Sequence, residues 1–250
     1  MPTIREWRQR LQPAAEFDAE PYVHHVIRPF SIYITLALGR TPITPNQVTA
    51  ISIALEFVAA VLWAIGGIGN FIIGGVLCQI AHCLDAVDGE LARYKNMTSQ
   101  RGVFLDLMGH YLTEYAIIVG AGLGLAREFG DVALYAALII APFHFGDELL
   151  RDLLLKVRFK AGADQPVQFK ETDRAFSFRK ERATSLVFLV LGFVVTSAGF
   201  FTGVLASALV DLFLTTGWAR LVFLIGWGGL TALKFVVRFY KVYTGAFEIQ

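Results

Sequence analysis

Six apolar stretches, near residues 45–66, 70–93, 103–126, 131–155, 184–210 and 217–240, dominate this 250-residue chain. Each approaches the roughly 20 residues needed to cross about 30 Å of hydrocarbon. In lipid every backbone N–H and C=O must be satisfied within its own segment, so these stretches are helices rather than strands. With 55% hydrophobic residues and a mean hydropathy of +0.55, the chain is too apolar for a soluble domain of this length. The sequence therefore predicts an all-α, polytopic membrane protein with six transmembrane helices. The fourth is the least regular, because His144, Asp147, Glu148 and Arg151 fall in its second half.

Charge sets the expected orientation. Of 22 Lys and Arg residues, only Arg127 and Arg220 fall on one side of the six spans. The other twenty lie in the N-terminal arm, the 2–3 connection, the 4–5 connection and the tail. The positive-inside rule then places both termini in the cytoplasm, in a multi-pass protein of the cell (inner) membrane. A net charge of +1 gives no sign of a nucleic-acid partner. The first residues, MPTIREWRQRLQPAAEFDAEP, lack the apolar centre of a cleaved signal. The expected organisation is an arm over 1–43, a six-helix domain over 44–242 and a tail over 243–250. Within the arm, Pro21 to Thr41 has apolar residues at helical spacing interrupted by His24, His25, Arg28 and Pro29, which predicts an amphipathic helix on the membrane surface. TPITPNQVT, Thr41 to Thr49, is a stiff turn into the first span. Cys78 and Cys83 are packing residues on this reading.

The polar exception is LDAVDGELARYKNMTSQRGVFLDLMGH, Leu84 to His110. At about 100° per residue, Asp85, Asp88 and Ala92 share one helical stripe, with Gly89 beside it and Arg93 a little further round. On the next helix Gly102, Asp106, His110 and Glu114 recur at i+4. The short link Tyr94 to Arg101 makes the two helices antiparallel neighbours whose stripes meet at the cytoplasmic boundary. Ion pairs of Asp88 with Arg93 and of Asp106 with Arg101 would account for two aspartates, but not for Asp85 or the glycines. Three carboxylates suit one or two hard divalent cations, Mg²⁺ or Mn²⁺, that keep positions open for phosphate oxygens. Glycine lets a ligand approach closely, and Arg93 offers a planar fork to phosphate.

This pattern resembles that of the CDP-alcohol phosphotransferases: Asp, two residues, Asp-Gly, two residues, Ala-Arg, eight residues, Gly, three residues, Asp, three residues, Asp. The chain matches at Asp85, Asp88, Gly89, Ala92, Arg93, Gly102 and Asp106, and departs at His110. The resemblance implies a membrane transferase of phospholipid or polyol-phosphate biosynthesis. It would move a phospho-alcohol or phosphatidyl group from a CDP-alcohol to an acceptor hydroxyl and release CMP, at least one substrate being a lipid. Asp85, Asp88, Asp106 and the residue at 110 would hold two metal ions. Gly89, Ala92, Arg93 and Gly102 would line the nucleotide site, with Asn46 and Thr49 either further nucleotide contacts or helix caps. A homodimer is also implied, since homodimers are common in the family.

In the family, position 110 carries an aspartate that completes the metal site and acts as base. Imidazole can accept a proton near neutral pH or ligate a metal, but one nitrogen cannot do both. His110 is thus an altered base or ligand, a mark of a homologue that binds CDP-alcohol without efficient turnover, or a packing residue. Glu114 or Glu90 could restore the missing negative charge. His144, Asp147, Glu148 and Arg151 could bind a polyol phosphate or lipid head group, or Arg151 could simply pair with a neighbouring carboxylate. Lys234 and Arg238 are expected to snorkel to the interface. DGELAR and TPITPNQVT look most similar to members handling inositol-type or other polyol phosphates. An aspartate-rich prenyltransferase and an ion carrier are the competing classes.

Overall fold

The computed structural model describes residues 2–12, 22–160, 193–194 and 196–244. These form eight α-helices and, among the described residues, no strand. In chain order they are α1 (Ile4–Leu11), α2 (Arg28–Leu38), α3 (Pro45–Ile65), α4 (Ile68–Lys95), α5 (Gln100–Phe129), α6 (Val132–Lys160), α7 (Ser197–Leu214) and α8 (Trp218–Tyr243), with a π-helical turn, Val23–Ile27, leading into α2.

Local chemistry marks the boundaries. Thr44 caps α3 in a reciprocal box with Gln47, and Pro45 occupies the first turn, where its missing N–H costs nothing. A left-handed Asn96 (φ 53°) ends α4, and the Ser99 hydroxyl caps α5 by accepting from Gly102 N at 3.1 Å. At the opposite end of the bundle the turns are short and lean on positive-φ glycines, Gly66 and Gly67 after α3, Gly130 after α5 and Gly217 before α8.

Five of these helices, α3, α4, α6, α7 and α8, are long and apolar enough to cross a membrane. The sixth predicted span, α5, has 30 residues, about 45 Å of helix. Its polar stripe keeps it out of that group, although length alone would carry it across. The predicted fifth span began at 184; its residues 184–192 lie outside the described ones, and α7 starts at Ser197 behind a Thr196 cap. Pro142 sits inside α6 without ending it.

α3 lies between α4 and α5 and packs against both, whereas α4 and α5 pack little on each other. The antiparallel pairing expected from their short link is therefore confined to the motif end. The α3–α5 seam is backbone-close: a Cβ at Gly120 would strike the Ala60 carbonyl and one at Gly124 the Trp63 carbonyl. α5 continues onto α6, α6 onto α8, α8 onto α7 and α7 back onto α4. Cys78 is buried in the core this encloses and Cys83 is half-buried; both are free, as expected.

The predicted helix over Pro21–Thr41 is present as the π-helical turn and α2, with one face buried and the other exposed. α2 turns Ser31, Ile32 and Thr35 onto α4 and leaves Phe30 and Tyr33 exposed. α1 was not expected, although its TIRE start is a capping box in which Thr3 and Glu6 bond reciprocally.

Arg220 is not an interfacial charge. It is 2% exposed, donates through Nε to Asp211 (2.7 Å) and through both terminal nitrogens to Glu128 (2.7 and 3.1 Å), and lies over the Phe71 ring. Asp211 also accepts from the backbone of Ala219 and Arg220, so one cation ties α5, α7 and α8 together. Arg220→Leu is expected to cost about 3–5 kcal/mol because it strands a buried carboxylate. A thermal melt in detergent checks this, and Asp211→Asn should relieve part of the loss in the double variant.

Candidate metal and nucleotide site

α4 delivers Asp85 and α5 delivers Asp106 and His110 to one place. His110 Nε2 lies 3.1 Å from Asp85 Oδ1 and 3.5 Å from Asp106 Oδ1. One donor atom from each residue falls within 4.8 Å of the other two. All three side chains are partly exposed, at 27–38%, so the cluster opens to a ligand rather than closing on itself. α4 and α5 touch little beyond this end of the bundle and both pack on α3, so the cluster joins the two helices near their link.

Asp88, the second aspartate of the stripe, stands apart from the three. It is 8% exposed and accepts from the Thr49 hydroxyl at 2.5 Å. Thr49 is thereby a partner of the motif, while the cap of α3 is Thr44. Asn46, one turn earlier, faces the other end of the motif: a Cβ at Gly102 would come within 2.9 Å of its Oδ1. Both residues at the start of α3 thus lie against the motif, Thr49 at Asp88 and Asn46 at Gly102. The Arg93 guanidinium lies beside Gly89, where an added Cβ would stand 3.6 Å and 3.8 Å from its terminal nitrogens. Ala92 lies between them on α4, half-buried.

The carboxylates expected to compensate for His110 are engaged elsewhere. Glu114 bonds His144 Nε2 (3.0 Å) and accepts a short hydrogen bond from Ser197, joining α5, α6 and α7. Glu90 accepts from Gln12, Ser31 and Thr35. Neither reaches the cluster, because each turns toward a different neighbouring helix. Asp147 pairs across to α8, with Lys234 at 2.9 Å and Arg238 at 2.7 Å. Those two cations therefore do not simply snorkel, and the expected grouping of His144 with Asp147 resolves into two separate contacts. Glu56, which sequence spacing did not single out, is buried on α3 and takes a short hydrogen bond from Thr113. Its signal was a lone carboxylate inside an otherwise apolar span.

Comparison with known proteins follows the same segment. The family model for CDP-alcohol phosphatidyltransferase matches residues 42–214, and the chain belongs to this family. The aspartate-rich prenyltransferase alternative falls with that membership. A bifunctional IPC transferase and DIPP synthase from Rubrobacter xylanophilus is 39% identical over 132 residues, covering 51% of this chain and 30% of that protein. An archaetidylinositol phosphate synthase from Pyrococcus horikoshii is 35% identical over 87 residues, 35% of this chain and 45% of that one. The match thus spans less than half the length of these relatives. In fold, the chain is similar to Mycobacterium tuberculosis phosphatidylinositol phosphate synthase, solved with CDP-DAG bound (TM-score 0.57, 18% identity, 86% of this chain and 94% of that one). The same enzyme was solved with manganese and citrate. The fold and family make this a membrane protein.

Two carboxylate oxygens and one imidazole nitrogen form a mixed donor set that fits a divalent cation. Asp85→Asn and Asp106→Asn should each weaken Mn²⁺ binding at least about tenfold, and Glu114→Gln should leave it within about twofold while lowering the melting temperature. Mn²⁺ titration followed by electron paramagnetic resonance reads both. Loss of binding in Glu114→Gln would return that carboxylate to the cation site.

Proposed function

We propose that the chain is a transferase that moves the phospho-alcohol group of a CDP-alcohol to an acceptor hydroxyl and releases CMP. The observation that carries this is the convergence of Asp85, Asp106 and His110, and the contacts of Thr49 with Asp88, Asn46 with Gly102 and Arg93 with Gly89 support it. Six helices, α3 to α8, cross the membrane on this reading, with residues 1–43 as a cytoplasmic arm and 243–250 as a tail. The excess of Lys and Arg at the motif end supports a cytoplasmic site.

Asp85, Asp106 and His110 would hold the cation, Mg²⁺ or Mn²⁺, with His110 entering through Nε2, the nitrogen turned onto both carboxylates. That orientation of Nε2 supports the ligand role. Asp88, fixed by Thr49, holds a second carboxylate on α4, where it could share in a second ion. A bound divalent cation would offset charge on the diphosphate and on the oxygens that gain charge during transfer. Gly89 and Gly102 leave room for the nucleotide, Asn46 offers a carboxamide and Arg93 a fork for a phosphate oxygen. The lipid-bound structural relative supports a CDP-lipid donor. The names of the relatives support an inositol-phosphate-type acceptor.

Purified protein with Mg²⁺ or Mn²⁺ and a panel of CDP-alcohols and acceptors should release CMP, with the product identified by lipid mass spectrometry. His110→Ala is expected to lower kcat at least about a hundredfold, and His110→Asp to retain or raise Mg²⁺-supported turnover. Full activity in His110→Ala would remove the imidazole from the mechanism. Nitrogen coupling to bound Mn²⁺ in pulsed resonance, present in the wild type and lost in His110→Asp, tests ligation without turnover.

A further inference from the structure

Four residues that end the motif helix grip the N-terminal arm, all but the last two residues of which lie outside the segment matched to the family. Glu90, 1% exposed, accepts hydrogen bonds from the Gln12 amide (2.8 Å), the Ser31 hydroxyl (2.6 Å) and the Thr35 hydroxyl (2.8 Å). Arg93 donates through Nε to the Leu11 carbonyl at 2.6 Å. Tyr94 meets the Trp7 ring at 5.1 Å and lies on Gly39, where a Cβ would come within 2.5–2.9 Å of its ring. Lys95 donates to the carbonyls of Thr41 (2.6 Å) and Ile43 (2.7 Å).

Leu11 is the last residue of α1, so its carbonyl has no partner within the helix and sits at the negative end of the helix dipole. A guanidinium is planar, so fixing Nε there fixes the plane of both terminal nitrogens, which lie beside Gly89. Gln12 holds that carbonyl in place: its amide also donates to the Arg28 carbonyl (3.1 Å), clamping the end of α1 between α2 and Glu90. Long side chains lose rotamer freedom when they bind, and pre-ordering Arg93 removes that cost from the ligand's binding.

We infer that α1 is a positioning element of the nucleotide site: Trp7, Gln12 and Glu90 hold the Leu11 carbonyl against Arg93 and aim its guanidinium at the diphosphate of the donor. This rests on the placement of Arg93 in the nucleotide site, and the variants separate the two. The probe is CDP-diacylglycerol binding to the full chain in detergent with Mg²⁺, measured by thermophoresis. Arg93→Ala should raise Kd about tenfold or more, as loss of a charge-assisted contact does. Trp7→Ala with Gln12→Ala, which removes no group from the motif, should raise it about fivefold, and the triple variant should bind no more weakly than Arg93→Ala alone. In turnover the arm variants should raise donor KM and leave acceptor KM unchanged. Glu90→Gln, which keeps the shape of the clamp, should move Kd in the same direction and replaces the double variant if that one does not fold. An unchanged Kd in the arm variants, or their full effect persisting in the Arg93→Ala background, overturns the inference. An unchanged Kd in Arg93→Ala overturns the placement of Arg93 itself.

Discussion

A carboxylate held away from water costs several kcal/mol unless donors or a cation inside the protein meet it. That constraint organises this bundle. Glu56 takes Thr113, Glu114 takes His144 and Ser197, Asp147 takes Lys234 and Arg238, Asp211 takes Arg220, and Glu90 takes three donors from the arm. Each of these contacts joins two or more helices, so the groups most expensive to bury are also those that fix which helix lies beside which. Asp85 and Asp106 differ in that their shared partner, His110, leaves them partly open. A group that the protein has not fully satisfied is where a ligand can still contribute.

The packing order follows from the same logic. α3 meets α4 through Thr49 and meets α5 through Glu56, Ala60 and Trp63, and the glycines of α5 let the backbones close to contact. With α3 occupying that space, α4 and α5 separate after their tight link. The grouping of the motif is thus a product of core packing, and its polar residues come from three helices rather than two.

Much of this was legible in the sequence. The all-helical fold, the meeting of Asp85 with Asp106 and His110, and a helix within residues 21–41 follow from apolar length and i+4 recurrence. Asn46 and Thr49 stood in the sequence as either nucleotide contacts or helix caps; the cap is Thr44, and the two residues lie against Gly102 and Asp88. What spacing cannot reveal is the neighbour across a gap. Glu114 sits on the same stripe as His110, yet its partners are on α6 and α7. Lys234 and Arg238 resembled interfacial cations until Asp147 on another helix supplied a reason for their depth. The antiparallel pairing of α4 and α5 holds only at the motif end for the same reason, since a short link brings two helix ends together without committing the rest. The capping box of α1 was visible as TIRE but carried no hint that its last carbonyl would meet Arg93.

The turns at the end of the bundle opposite the motif have a consequence of their own. Gly66–Gly67, Gly130–Asp131 and Thr215–Gly217 connect consecutive helices with two or three residues. Such stubs leave no chain with which to fashion a recognition surface, and the Arg220 network locks them to one another. That pole is therefore a closed base plate. Among the described residues, a lengthened loop or a new specificity has room to grow at the other pole.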